Sequence, residues 1–130
     1  MKSITPSLTF EGRAEEAMQY YEETFKDAEI RMIRKYDDAA PELEGKVMQG
    51  AIMIQDQLIM MMDSSVPHEF TFTPSMSFYI ECSTPQEIEL YYRKLKKQGA
   101  IHMPLDEYGF SRQFAWLQDQ FGVTWQLNLS

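Results

Sequence analysis

Cysteine is nearly absent. Cys82 is the only one in 130 residues, so no disulfide can form within the chain. No CxxC motif or cysteine–histidine pair makes it a redox centre or nucleophile, and it reads as a small buried or edge residue. Basic charge is scarce too. Twelve Lys and Arg stand against 20 Asp and Glu, a net charge of −8, which argues against nucleic acid or a membrane surface as partner. Long apolar runs are missing. The longest cluster, Leu58 to Met62, is far too short to span a bilayer. No basic stretch leads into an apolar run near Met1, so no secretion signal is expected, and the setting read from all this is the cytoplasm. The six glycines are scattered singly, without the glycine-rich turn of a dinucleotide or adenosylmethionine fold. No GxSxG, HExxH, P-loop or EF-hand pattern occurs.

What is present suits one compact domain with a real core. The end of the chain, Phe114 to Leu129, has the pattern of a strand, an Asp-x-x-Gly turn and a second strand. Phe114 and Trp116 stand at alternate positions before the turn; Trp125, Leu127 and Leu129 alternate with Thr124, Gln126 and Asn128 after it. A period of two gives each strand an apolar and a polar face. Asp119 and Gly122 suit a loop needing side-chain-to-backbone bonding and a positive φ. The apolar face is expected to hold a helix and the polar face to line a cavity.

The remaining chain supplies matching parts. Ile4 to Phe10 alternates as a strand, with Pro6 near its start or at an edge. A helix is predicted from Arg13 to Phe25, its stripe Ala14, Ala17, Met18, Tyr21 and Phe25. Strands follow at Ile30 to Tyr36, Val47 to Ile54 and Leu58 to Met62, the last ending at Asp63. The cycle restarts with a strand around Met76 to Ile80. Thr84, Pro85 and Glu87 form a helix start, and Gly99 reads as the helix end. Strands near Ala100 to Met103 and Arg112 to Leu117 precede the closing one. The order is therefore β-α-β-β-β twice, an α+β fold. Its modules are placed at about 1–65 and 74–130, forming a curved mixed sheet with helices outside and a concave cavity. Tyr20-Tyr21 and Tyr91-Tyr92 mark the two helices as a weak repeat.

Three stretches, ITPSLTFEGRAEEAMQYYEETF, QLIMMMDSSVPHEF and AWLQDQFGVTWQL, carry a resemblance over nearly the whole chain. The chain resembles the vicinal oxygen chelate superfamily, the glyoxalase and bleomycin-resistance fold. The closer likeness is to its PhnB-like, 3-demethylubiquinone-9 3-methyltransferase-like branch. The resemblance implies a homodimer and, in the superfamily's enzymes, a divalent metal held by the first and fourth strands of each half. Aligned by pattern, those positions fall at Thr5, at Met60 or Met62, at Ser75 and at Gln126. Hydroxyls, thioethers and one amide are poor ligands for a hard or borderline dication. No metal and no other cofactor is therefore expected.

Each candidate for chemistry has a plainer reading beside it. His68 is a general acid/base or rim contact, oriented by Asp63, or else a loop imidazole bonding a carbonyl. Asp63 reads equally as a residue bonding its own turn. Glu81 shares the parity of Ser75, Ser77 and Tyr79 and is a buried base or a solvated strand end. His102 reads as surface or edge. Tyr79, Tyr108, Phe110 and Trp116 are walls for a flat ligand or ordinary core. Arg112 is a fork for an anion or one half of a surface ion pair. The expected ligand-binding set is Thr5, Ser7, Met60, Met62, Ser75, Ser77, Tyr79, Trp116 and Gln126. The function read from this is metal-free binding of an aromatic or amphipathic small molecule. The alternative is a metal-dependent lyase, isomerase or dioxygenase with a displaced site. A methyltransferase is disfavoured, because the glycine-rich turn is missing.

Overall fold

The computed structural model describes residues 1–130, which form two compact units, Met1–Glu69 and Phe70–Ser130. The first contains β1 (Ser7–Phe10), α1 (Ala14–Thr24), β2 (Ala28–Lys35), a short 3-10 turn, β3 (Val47–Ile54) and β4 (Gln57–Asp63). Its sheet has the order β1-β4-β3-β2, with β1 parallel to β4 and the other pairs antiparallel. The second contains β5 (Phe78–Glu81), α2 (Pro85–Leu95), β6 (Ala100–Asp106), β7 (Gln113–Gln118) and β8 (Thr124–Leu129). Its sheet repeats the topology as β5-β8-β7-β6. Two βαβββ modules with mixed sheets are the α+β fold expected, each closing its own four-stranded sheet.

In the first unit the predicted stripe packs the helix. Ala14, Ala17, Met18 and Tyr21 are wholly buried and Phe25 nearly so. Gly50 pairs with Met61, and a Cβ on Gly50 would lie 2.9 Å from Met18 Sδ. The helix therefore lies on the face of Gly50, Ile52, Ile59 and Met61, side chains of alternating parity. Strand β1 begins at Ser7 rather than Ile4. Pro6 has no N–H to donate; its carbonyl accepts from Met60, and Ile4 is left exposed. No side chain caps α1 locally. The Asp63 carboxylate takes that role from the end of β4, accepting from the N–H groups of Gly12 (2.7 Å), Ala14 (3.0 Å) and Val47 (2.9 Å).

In the second unit Thr84 Oγ1 accepts from Glu87 N–H at 3.1 Å, as the helix-start pattern predicts. Glu87 reaches back to Ser83 N–H, one residue before the expected partner. The helix end needs correcting. Gln98, not Gly99, carries the positive φ (58°). Gly99 is required for a different reason: a Cβ there would stand 2.1 Å from the backbone oxygen of Gln118 on β7.

The closing hairpin also differs from expectation. Residues opposite each other across an antiparallel pair share a face. Trp116 opposes Gln126 and Phe114 opposes Asn128, so both aromatics belong to the polar row's face. Ala115 and Leu117 join Trp125 and Leu127 on the wholly buried face, which α2 covers. The cause is the turn. Asp119 Oδ1 accepts from Phe121 N–H (2.9 Å) and Val123 N–H (3.1 Å), and Oδ2 accepts from Trp125 Nε1 (2.9 Å). Gly122 takes φ 92°. This knot pairs Gln118 with Thr124, and even-numbered residues then meet even-numbered ones along the hairpin.

Gly99→Ala should destabilise the protein by about 2 kcal/mol or more, because backbone rather than a flexible side chain must yield. Gln98→Gly should be neutral or slightly stabilising, since glycine tolerates that φ. Urea unfolding of both variants checks this; equal effects would show that the close approach to Gln118 is not what constrains the junction.

Candidate functional site

The face of each sheet turned away from its helix gathers most of the predicted binding residues. In the first unit it carries Ser7 opposite Met60 and Thr9 opposite Met62, with both methionines half-buried. Thr5 lies before β1, outside the ladder. In the second unit it carries Tyr79 opposite Gln126, which is opposite Trp116. Gln126 Nε2 donates to Ser77 Oγ at 2.8 Å. Ser75 falls off this face; it is exposed and its hydroxyl shares a hydrogen bond with that of Thr73 at 2.7 Å. Tyr79 remains 58% exposed, its phenol pushed up by partial burial and then by the Glu81 charge.

Two residues that the sequence placed in the polar row, but not among the binding residues, prove informative. Thr124 and Asn128 are 2% and 5% exposed. Thr124 Oγ1, Asn128 Oδ1 and Trp116 Nε1 are all buried and have no hydrogen-bond partner in the chain. All three residues lie on the non-helix face, on adjoining strands. A buried polar atom without a partner costs about 1–3 kcal/mol, so three on one face is a specific feature. The signal available in the sequence was parity: Thr124 and Asn128 flank Gln126 two residues away on either side.

The candidate acids are committed elsewhere. Asp63 is 1% exposed and holds the three N–H groups described above. Its own backbone carbonyl accepts from the Tyr36 hydroxyl. The pairing of His68 with Asp63 is not formed. His68 meets Glu11 instead, through its backbone N–H (2.9 Å) and its ring Nδ1 (3.7 Å), both to Glu11 Oε1. Glu81 opposes Asn128, whose Nδ2 donates to its Oε1 at 2.8 Å; Oε2 accepts from the Ser130 N–H and hydroxyl. The Asn128 bond, followed by those of Ser130, holds this carboxyl below its usual range, the opposite of a buried base. Cys82 is buried and its thiol is pushed up to about 12, first by burial and then by Glu87 and Glu81, which removes it as a nucleophile.

The remaining aromatics cluster at one end of β7. Tyr108 stacks on Phe110 (6.0 Å between centroids), and both meet Phe114 edge-on. The exposed His102 ring sits 5.3 Å from that of Trp116. Arg112 is exposed, and no ion pair within the chain engages it.

A divalent ion of the superfamily type does not fit these residues. The first and fourth strands offer hydroxyls and thioethers in the first unit. In the second they offer Gln126, a neutral amide, and a single carboxylate, Glu81, whose two oxygens accept from Asn128 and Ser130. No three His, Cys, Asp or Glu side chains lie together to hold an ion.

The model of the 3-demethylubiquinone-9 3-methyltransferase family matches residues 2–128. The chain belongs to this family. The PhnB protein of Bacillus cereus is 47% identical, with TM-score 0.95 over 99% of this chain and 100% of its own. A protein from Pseudomonas aeruginosa shares 22% identity at TM-score 0.84, over 100% and 98% of the two chains. A glyoxylase/bleomycin resistance protein/dioxygenase domain from Frankia shares the fold at 14% identity and TM-score 0.68, over 100% and 93%. The family's fold is thus that of the vicinal oxygen chelate proteins. A comparison with curated proteins gave no match. No helix of this family member is long and apolar enough to cross a membrane.

The Glu81 contacts carry a pH dependence. A folded carboxyl below its unfolded value stabilises at higher pH, and that contribution is lost as pH falls through the folded pKa. The Ser130 amide resonance should therefore titrate with a midpoint below about 4.3, the ordinary glutamate value. A midpoint at or above it would show that the C-terminal contacts to Glu81 do not hold in solution.

Proposed function

We propose that this family member binds a small molecule on the non-helix face of its second sheet and does so without a metal of the superfamily type. The supporting observation is the set of three buried, partnerless polar atoms on that face: Trp116 Nε1, Thr124 Oγ1 and Asn128 Oδ1. Buried polar groups are normally satisfied, and a bound molecule is a direct way to satisfy them. Ser77, Tyr79 and Gln126 adjoin the row and supply further polar and aromatic contact. An aromatic or amphipathic ligand suits this mixture. The reading includes a homodimer in a reducing cytoplasm, where a lone thiol such as Cys82 persists.

The metal-dependent lyase, isomerase or dioxygenase reading needs several carboxylates or imidazoles together; the second sheet's face carries Glu81, bonded to Asn128 and Ser130, and no group of three such side chains. The transferase in the family's name needs an adenosylmethionine site; neither helix here follows a glycine-rich turn of that kind.

Thr124→Val tests the reading through stability. The swap keeps the shape and deletes a hydroxyl that lacks a partner. It should stabilise the free protein by about 1 kcal/mol while weakening binding of any stabilising compound found by thermal-shift screening. A loss of stability would mean the hydroxyl is already satisfied. A screen in which only zinc, nickel or manganese stabilises the protein would overturn the reading.

A further inference from the structure

The three atoms also restrict what kind of molecule can meet them. An indole Nε1 is a donor only. Asn128 Nδ2 already donates to Glu81, so the atom left over, Oδ1, is an acceptor only. Thr124 Oγ1 can serve as either. Trp116 stands opposite Gln126, which makes Asn128 its diagonal neighbour at roughly 7–8 Å between Cα atoms. A ligand spanning the two must offer an acceptor at one point and a donor at the next.

Charge narrows the choice further. None of the four strands of this sheet contains a lysine or arginine. The acids beside the row are Glu81, opposite Asn128, and Asp106, opposite Phe114. The nearest guanidinium, Arg112, precedes β7 and shares the parity of Phe114 and Trp116; it lies about 7 Å along the strand from Phe114, which opposes Asn128, and about 13 Å from Trp116. An anion bonded at Asn128 would face the Glu81 carboxylate directly across the strand pair, and Asn128 Oδ1, an acceptor, offers it nothing. A cation would meet the indole N–H, a donor, and would find the Glu81 oxygens already engaged by Asn128 and Ser130.

We propose that this face selects an uncharged carboxamide-type group, an amide, lactam or imide. Its carbonyl accepts from Trp116 Nε1 and its N–H donates to Asn128 Oδ1. This rests on the reading that the second sheet's non-helix face binds a small molecule. It adds that the bound group is neutral and carries both hydrogen-bonding roles.

The chain has two tryptophans, and Trp125 Nε1 is held by Asp119. A nitrogen-15 spectrum therefore shows two indole N–H signals, and Trp116→Phe identifies the one at the site. The retained Trp125 signal reports that the variant is folded. Benzamide, benzoate, benzylamine and methyl benzoate have similar rings and differ in charge or in the donor. Benzamide should move the Trp116 signal downfield and saturably, and should bind at least about tenfold tighter than the other three. Benzoate or benzylamine binding as tightly would overturn the neutral-ligand claim. Methyl benzoate binding as tightly would overturn the role of Asn128 as acceptor. If benzamide leaves the Trp116 signal still while a compound of another class moves it, the carboxamide claim fails and the binding reading stands. If no compound moves it, including those from a thermal-shift screen, both fail.

Discussion

The Asp119 carboxylate fixes how β7 lies on β8, and the chemistry of the second sheet follows from it. One oxygen gathers two turn N–H groups and the other takes the Trp125 indole. With Gln118 locked opposite Thr124, a slip of one residue is excluded, because every side chain of β7 would change face. In the locked register the small Ala115 and the branched Leu117 lie beneath α2, and the bulkier Phe114 and Trp116 turn to the other side. The non-helix face is therefore neither purely polar nor purely apolar. It sets an indole donor and a phenyl ring beside threonine, glutamine and asparagine.

A second buried carboxylate does comparable work in the first unit. Asp63 ties the end of β4 to the start of α1 and to the start of β3 through three backbone N–H groups. A carboxylate at a helix N-terminus is favoured by the helix dipole as well as by the individual bonds. In this protein the deeply buried acids are architectural, and the acid on the second sheet's non-helix face, Glu81, is held ionised by Asn128 and Ser130. Neither arrangement resembles a general base or a cation cage. The polar chemistry left available comes from neutral groups.

Much of this was legible in the sequence. The two βαβββ modules, the α1 stripe, the Thr84 cap and the Asp119–Gly122 turn follow from periodicity and local chemistry, which are short-range properties. The helix end at Gly99 was misread because a glycine required by an approaching carbonyl looks the same in sequence as one required by a positive φ. The face of Phe114 was misread, and that of Trp116 stood open between core and ligand wall, because apolar alternation gives each strand two faces without saying how the faces of two strands match. That depends on loop length and the turn's bonding, five residues here from Asp119 to Val123. His68 and Asp63, close in sequence, were natural partners to consider, yet Asp63 is claimed by Gly12, Ala14 and Val47, all distant along the chain. Thr124 and Asn128 stood in the right row but became notable only once their lack of partners was visible.

The central claim is that three screened polar atoms on one sheet face are completed by a molecule from outside the chain. A high-resolution crystal structure of the protein, taken without added ligand from the cells that make it, tests this most directly. The account predicts organic density within hydrogen-bonding distance of Trp116 Nε1, Thr124 Oγ1 and Asn128 Oδ1. Rotamers in which all three find partners within the chain, or a metal ion seated at Gln126, would contradict it.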